Sequence, residues 1–499
     1  TPQNVGFSTG KLDKSGSISR GMLFGNNQNL GINSDLNLQL SGELTKNIKI
    51  KSVISDNNIP VQPDGNTQLI QDFDQVFIQL YSDNWKLVAG DFRISKPQSH
   101  FMVFDKRLRG GGASATFRLN PKIENTLSVN AAVSRGKFSR NVLDGVEGNQ
   151  GPYRLTGSEN ESFIIILSGT EEVFIDGEKL TRGQEHDYII DYNKAEVVFT
   201  ARQPITKDKR IVVEFQYSAQ AYGRSLIQVS DNVKTEKLNL NFNLYSEQDN
   251  KNQPLLQDLT NENKQLLESI GDNIDQAVVS SATVVDFNSD RVLYKLLTDS
   301  ITNDSIYVYS TNPDSARYRL AFSNVGLGNG NYIEIPSTAN GRVFEYVPPF
   351  LGVSQGSYAP VVLLITPKKK QMFTLGGDYA FSKKTKLLFE GVATTDDVNT
   401  FSNTGNQNNT GAGLLVGLEN IKKISSDTAR PWFMKTKVSY ENRTDNFAEV
   451  QRYRSVEFDR DWNIRDQTLT GMQQLPAAEI GFSKKDLGQL GYEFRSFLS

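Results

Sequence analysis

The stretch Leu238-Asn239-Leu240-Asn241-Phe242-Asn243-Leu244 alternates apolar and polar side chains at every position. Successive side chains of a β-strand point to opposite faces, so this stretch predicts a strand with one apolar and one polar face. Similar alternation at Leu36–Leu40 is followed by a polar turn and then by Ile48–Lys51. This arrangement predicts a β-hairpin.

The same hairpin pattern recurs along the chain. Further alternating stretches, joined by short turns rich in Ser, Asn and Lys, lie at residues 76–88, 115–129, 372–390 and 479–498. Strands of about eight to eleven residues are long enough to cross a bilayer at the tilt of a membrane barrel, and we count about ten to twelve of them. Long polar connections at 59–72 and 394–410 alternate with the short turns, which is typical of outer-membrane barrels. A soluble β-sandwich is the alternative.

Composition excludes several classes of protein. The chain of 499 residues has no cysteine, which excludes disulfides, thiolate metal sites and iron–sulfur clusters. The two histidines, His100 and His186, are far apart in sequence, which argues against a histidine metal site. The 54 Lys and Arg residues nearly balance the 57 Asp and Glu residues, so no nucleic-acid partner is expected. A mean hydropathy of −0.44 argues against helical membrane spans and leaves membrane β-strands open.

Candidate catalytic motifs are weak. Arg107–Gly112 is rich in glycine like a phosphate-binding loop, but the Lys-Ser/Thr ending is missing, and we interpret it as a basic turn before a strand. Glu185–Asp187 places one imidazole between two carboxylates without a recognisable serine nucleophile, and we interpret it as a surface turn. We therefore expect no enzymatic activity, no cofactor, and neither a catalytic nor a metal site.

The chain divides into hairpin regions and inserts of different composition. The predicted segments are barrel-like hairpins at 1–150, an inserted β-sandwich domain at 151–218, a barrel-like hairpin at 219–246, a helical segment at 247–285, a second β-rich insert at 286–370 and barrel-like hairpins at 371–499. Apolar residues at helical spacing cover 255–277, and we expect the polar stretch 261–264 to split them into two short helices. The predicted fold class is all-β, with antiparallel outer-membrane-barrel-like hairpins (closed or partial), two inserted β-rich domains and a short helical segment.

One charged segment near the end of the chain is a candidate interaction site. Its residues recur at steps of two within each sign of charge, and they are Arg452, Arg454, Glu457, Asp459 and Asp461. On a strand, each set lines one face. Charges that line a barrel lumen or a protein interface would explain the pattern, and so would an exposed sheet face.

Several stretches resemble large exported β-rich outer-membrane proteins of the Bacteroidota. They are Ser17–Gly21, Gly25–Gln28, Leu36–Gly42, Ile54–Pro60 and the insert from Gly151 to Tyr192. Within that group, the size and the mixture of hairpins and inserts are similar to the plug components of the type 9 secretion translocon. The resemblance implies a location at the outer membrane or its periplasmic face. It also implies a partner, namely the large outer-membrane translocon barrel with its associated subunits.

The expected function is therefore non-enzymatic. It is that of a component of an outer-membrane protein secretion machine, which plugs or gates the pore of the type 9 translocon from the periplasmic side. A free-standing outer-membrane channel or transporter is the first alternative, and a surface glycan-binding protein that uses the insert is the second. Because the chain begins at Thr1 without methionine, we expect a removed signal peptide, and an arbitrary start of the sequence is the alternative. Because the chain ends in a strand-like stretch, we expect further sequence downstream.

Overall fold

The structure is a computed structural model, and nearly all of its regular elements are strands. It describes residues 12–25, 28–57, 75–134, 136–158, 161, 164–218, 221–255, 257–298, 305–337, 339–425, 431–465, 467, 469–484 and 487–499. The chain forms two compact units. Unit 1 comprises residues 1–255, 368–397 and 407–499, and unit 2 comprises 256–367 and 398–406. The predicted all-β fold class is confirmed.

A large antiparallel sheet in unit 1 begins with consecutive hairpins. Its first strands are β1 (Leu12–Gly25), β2 (Gln28–Thr45), β3 (Ile48–Asn57), β4 (Gln75–Tyr81), β5 (Trp85–Ser95), β6 (Asp105–Asn120) and β7 (Ile123–Ser134). The connection predicted at 59–72 lies outside the described residues. The interpretation of Arg107–Gly112 as a turn is wrong, since these residues lie inside β6. Gly110 is required there because a Cβ atom would lie 2.3 Å from the carbonyl oxygen of Ala131 on β7.

An insert with its own core follows β7. Its strands are β8 (Lys137–Asp144), β9 (Tyr153–Arg154), β10 (Ile165–Ile166), β11 (Glu172–Ile175), β12 (Glu178–Lys179), β13 (Tyr188–Asp191), β14 (Glu196–Phe199) and β15 (Arg210–Ser218). One sheet contains β8, β10, β11, β12 and β15, and the other contains β9, β13 and β14. Leu155, Val197, Val213 and Phe215 are fully buried in their shared core. Because β8 pairs with β15 along its whole length, the insert begins before residue 151.

The chain then returns to the large sheet before it enters unit 2. Strands β16 (Tyr222–Lys234) and β17 (Leu238–Pro254) come first, so residues up to Pro254 are strand. The described residues of unit 2 form α1 (Asn261–Ser269), a 3₁₀ turn (Ile274–Gln276) and three small sheets. Their strands are β18 (Val278–Ser280), β19 (Thr283–Val284), β20 (Tyr294–Thr298), β21 (Ser305–Tyr309), β22 (Tyr318–Arg319), β23 (Ser323–Asn324), β24 (Tyr332–Ile335), β25 (Val343–Tyr346), β26 (Tyr358–Ala359) and β27 (Val361–Leu363).

The expected split of the helix at residues 261–264 is wrong. These polar residues form the first turn of α1, and the hydroxyl of Thr260 caps it by accepting a hydrogen bond of 3.2 Å from the amide of Asn263. At the other end, the buried side chain of Asn399 donates to the carbonyl oxygens of Leu267 and Gly271, each at 2.7 Å. Polar residues here begin and end the helix, and they do not interrupt it.

The remaining strands complete the large sheet. They are β28 (Lys369–Ser382), β29 (Thr385–Asp397), β30 (Thr410–Lys423), β31 (Trp432–Arg443), β32 (Gln473–Lys484) and β33 (Gly488–Arg495), with the one-turn helix α2 (Phe458–Asp461) before β32. The order along the sheet is β1–β7, β16, β17 and β28–β33. Among the described residues, the large sheet thus has fifteen strands, more than the number counted from sequence, because strands such as the Ser- and Gly-rich β1 do not alternate. Within the described residues, no pairing joins β1 to β33.

The large sheet is strongly curved. Neighbouring strands lie about 4.8 Å apart, so a flat sheet would place β6 and β29 more than about 20 Å from each other. Yet the hydroxyl of Ser99, only four residues beyond the end of the adjacent β5, donates to Glu390 of β29 at 2.6 Å. Leu108 of β6 and Val392 of β29 also belong to one buried cluster, which contains Leu226, Tyr245 and Met372 of the strands between them. We call the concave side, which holds this cluster, the inner face and the opposite side the outer face. In the described part of the chain, no helix is long and apolar enough to span a membrane.

Candidate functional site

The outer face of the large sheet is apolar and exposed. On most described strands, alternate positions on this side carry aliphatic or aromatic residues, among them Ile78, Leu87, Val129, Ile227, Phe373, Leu375, Leu414, Val416, Leu418, Val438 and Ile480. Val438, in the middle of β31, is 61% exposed. Apolar patches of this extent are rare on water-soluble monomers. The alternation that predicts these strands therefore places their apolar side outward.

The inner face carries buried polar side chains between the same strands. The amide of Asn130 donates to Gln228 at 2.6 Å, and the amide of Asn243 donates to the hydroxyl of Thr374 at 3.0 Å. A cavity of about 420 Å³ lies on this side, with Ser128 among its lining residues. Each of these four paired side chains is less than one-tenth exposed. Hydrogen bonding offsets the cost of burying them.

A short loop between β5 and β6 covers part of the inner face. We call residues 96–104 the first crossing loop. Glu390, on β29, accepts three hydrogen bonds from it: from the hydroxyl of Ser99 at 2.6 Å and from the amides of His100 and Phe101 at 2.7 and 3.1 Å. The side chain of Phe101 is fully buried in the inner-face cluster, as is that of Met102. The carboxylate of Glu390 and the buried ring of Phe101 thus hold this loop in place across the sheet.

The connection between β31 and β32 also packs on the inner face. We call residues 444–465 the second crossing loop. Its Phe447 lies 5.8 Å from the ring of Phe101, and its Tyr453 lies 5.4 Å from that ring, measured between ring centroids. Val450 is buried in the same cluster. The two crossing loops therefore pack against each other as well as against the sheet.

A second carboxylate of the large sheet, that of Glu441 on β31, contacts both crossing loops. It is 2.8 Å from Nε2 of His100 in the first loop. In the second loop, the hydroxyl of Tyr453 and the guanidinium of Arg454 each donate to it at 2.9 Å. Burial raises the pKa of Tyr453, and the negative charge of Glu441 raises it further, so the phenol stays a proton donor at neutral pH.

The structure separates the five predicted interaction residues. Arg452 binds Glu214 on strand β15 of the insert, whereas Arg454 binds Glu441 and donates to Gln473 of the large sheet at 2.7 Å. The expectation that the segment is a strand is wrong, since it forms a loop followed by α2. The side chains find partners on two different elements, which a strand with one charged face would not allow.

The three acidic members lie immediately before α2 or within it, and they face the insert or solvent. Glu457 accepts from Arg210 of β15. Asp459 is 3.7 Å from Arg140 of β8, and Asp461 pairs with the adjacent Arg460 at 2.9 Å. The contacts of Arg452, Glu457 and Asp459 bind the second crossing loop to the insert. These three predicted residues are therefore part of an internal joint within unit 1.

A cleft of about 580 Å³ lies beside this joint. Its wall includes Arg93 and Asp105 of the sheet, Glu171 and Glu214 of the insert, and Arg452. These charges are paired: Arg93 with Asp105, Arg452 with Glu214, and Glu171 with Arg182 at 2.9 Å. Within the described residues, no group of three His, Asp or Glu side chains could hold a metal ion.

Sequence reasoning missed the residues that hold the crossing loops. The available signals were an apolar run, Phe101–Phe104, where a polar loop is expected, and a single charge, Glu390, within the apolar stretch 387–392. An apolar run between two strands indicates a loop that packs against a core. A carboxylate buried in a strand needs hydrogen-bond donors, so it indicates that another part of the chain packs against it.

Comparison with known proteins adds a family for the insert. Residues 138–219 match a family described as a domain of unknown function (DUF8818), which covers the insert from β8 to β15. A comparison with curated proteins finds no match.

Solved structures that align with the chain are bacterial outer-membrane proteins. OmpT of Vibrio cholerae is 9% identical, with 97% of each chain covered and a TM-score of 0.21. The outer membrane channel DcaP of Acinetobacter baumannii is 9% identical over 97% of this chain and 90% of its own, with a TM-score of 0.27. OccK2 (OpdF) of Pseudomonas aeruginosa, in complex with glucuronate, is 8% identical over 97% and 90%, with a TM-score of 0.23. Scores this low carry no argument about this chain.

Proposed function

We propose that the protein is a non-enzymatic outer-membrane protein that acts as a plugging or gating component of a protein secretion machine, the type 9 translocon, from the periplasmic side. The observation that carries the proposal is that two loops of the chain pack on the inner face of a sheet whose outer face is apolar. These two features support a membrane element whose interior is partly closed by its own chain.

The outer face supports the membrane location. Strands β28, β30 and β31 have 12 to 14 residues, which exceeds the roughly 9–11 needed to cross a bilayer at barrel tilt. Their backbone groups pair with neighbouring strands, as hydrocarbon demands. The exposed apolar side chains on alternate positions fit lipid contact.

The crossing loops support the plugging role. An open channel needs a continuous polar path along its inner side. Here, the apolar cluster around Phe101 and Phe447 packs against part of the inner face, and Glu390 and Glu441 hold the loops in place. The insert offers a folded surface of its own to a protein partner. We infer that this chain closes a path and does not provide one.

Affinity purification of the tagged full chain from native outer membranes tests the proposal. The expected result is co-purification of a larger outer-membrane barrel with associated subunits. A matched sample carries Arg452→Ala and Glu457→Ala, which loosens the joint between the insert and the second crossing loop and should lower the recovery of the barrel. Recovery of the chain alone from both samples would contradict the proposed role.

A free-standing channel is the second candidate, favoured by the polar cavity of about 420 Å³ on the inner face. Planar-bilayer recording of the purified chain separates the two. A plugging component gives no steady current, whereas a channel does. Ser128→Arg introduces a cation into the cavity, and for a channel it should reduce the current of cations.

A further inference from the structure

One hairpin of unit 2 carries a cluster of exposed apolar side chains at its turn. Phe350 and Val353 exchange two backbone hydrogen bonds, from Phe350 N to Val353 O at 2.9 Å and from Val353 N to Phe350 O at 3.0 Å. Between them, Leu351 and Gly352 both have positive φ angles, of 49° and 78°. This geometry is that of a two-residue hairpin turn of type I′.

A second turn lies beside this hairpin. The amide of Gly328 donates to the carbonyl oxygen of Gly356 at 3.0 Å, and Gly330 and Gly356 form a β-bridge. Leu327, which precedes Gly328, is 87% exposed, as is Leu351. Phe350 and Val353 are also more than half exposed. We call Leu327, Phe350, Leu351 and Val353 the apolar tip.

Leucine is a poor choice for position 351 if the hairpin serves only to turn the chain. Both central residues of a type I′ turn need positive φ, which favours Asn, Asp or Gly and disfavours a side chain as bulky as leucine. The leucine side chain is almost fully exposed, so burial in its own unit does not offset the strained backbone. Clustered exposed apolar residues mark interaction sites. The positive φ of Leu351 and the exposure of its side chain together indicate a contact with a molecule outside unit 2.

The charge around the apolar tip indicates which kind of molecule it contacts. Neither of the stretches 320–333 and 346–367 contains a charged residue. Residues 256–367 contain twelve Asp and Glu but only six Lys and Arg. Anionic lipid surfaces attract segments rich in Lys and Arg, and this unit has the opposite balance. An uncharged tip on an acidic unit is complementary to an apolar pocket in a protein whose surrounding surface is neutral or basic.

We propose that the apolar tip of unit 2 docks into an apolar pocket of a separate protein, with Leu351 as the central anchor. The inference is independent of the translocon role, because it rests on the exposure and charge of unit 2 residues and not on the large sheet or its crossing loops. Anchors of this kind carry most of the binding energy of an interface, while their neighbours exclude water.

Photo-crosslinking in intact cells tests the inference. The full chain carries a photoreactive phenylalanine analogue at Val353, and as a control at the exposed, polar Asp314 of the same unit. Leu351→Asn is the matched variant, because Asn accepts positive φ and keeps the turn while it removes the apolar anchor. We expect a protein adduct from position 353 and not from 314, with at least tenfold lower yield in the Leu351→Asn background.

The adduct protein is then identified by mass spectrometry, purified and titrated against the full chain. The expected result is binding that Leu351→Asn weakens at least tenfold, with a crosslinked peptide formed mainly of apolar surface residues. Adducts with lipid only, adducts with a second copy of this chain, or equal yields from both backgrounds would overturn the inference. The variant's urea midpoint, which should not fall, excludes a folding defect. If it falls, Leu351→Gly replaces it, since glycine adopts the same φ freely.

Discussion

The two faces of the large sheet differ in a way that reverses the rule for water-soluble proteins. On the outer face, Phe373 and Val438 are 38% and 61% exposed, whereas Asn243 and Thr374 on the inner face are nearly inaccessible. The same strands carry both sets, separated only by the alternation of side chains. Apolar residues exposed beside polar residues buried is the arrangement that a lipid environment outside and a filled interior require. The difference teaches that the side chains of the outer face suit an apolar surrounding such as lipid, whereas those of the inner face suit hydrogen bonds and packing within the chain.

A charge placed on the outer face should have the largest effect. Val438→Arg is expected to prevent assembly into the membrane, because a cation at the middle of a lipid-facing strand costs about 2–4 kcal/mol. The inner-face control is Ser439→Arg on the next residue of β31. The measurement is the fraction of each variant recovered in washed outer membranes. Equal recovery of the two variants would remove the distinction between the faces.

Truncation of the inner-face anchor should come next. Phe101→Ala removes a fully buried ring, and similar truncations cost about 3–5 kcal/mol. Because Phe101 packs against Phe447 and Tyr453, we expect faster protease cleavage in both crossing loops and a lower urea midpoint in detergent. Phe117→Ala, on the exposed outer face of β6, is the control and should leave both readouts near wild type in detergent. Cleavage that increases in the first loop alone would show that the loops are independent.

Loss of the Glu390 carboxylate should have a smaller effect on stability. Glu390→Gln keeps an acceptor but removes the charge that binds three donors of the first crossing loop, and we expect a loss of about 2 kcal/mol. Proteolysis should increase mainly within residues 96–104. The exposed Glu493 of β33 provides the control as Glu493→Gln. If cleavage of the first loop stays at the wild-type rate, the loop is held by its apolar residues and not by Glu390.

The repeated unit of the sheet could be predicted from sequence, but the contents of its inner face could not. Alternation at 238–244 and in the other hairpins depends only on neighbours along the chain, so it predicts strand and facing directly. The contacts of Glu390 with His100 join residues 290 positions apart, and local pattern carries no information about them. The charges at 452–461 show the same limit. Their spacing imitates a strand, but Arg452 and Arg454 are held by partners on the insert and the sheet.

Titration of Glu449 in the second crossing loop gives the smallest predicted effect and tests whether burial there is costly. Burial raises the pKa of Glu449, and the nearby Arg443 and Lys370 lower it only in part. A raised pKa in the folded state means that its contribution to stability is fully present below the unfolded value of about 4.3 and is lost as pH rises through the folded value. Glu449→Gln keeps the neutral form at every pH. We therefore expect its urea midpoint to match wild type at about pH 4 and to exceed it slightly at about pH 8. A lower midpoint than wild type at about pH 8 would mean that Glu449 stabilises the loop as a charged partner of Arg443 and Lys370, so that a buried charge on this face is a useful contact and not a cost.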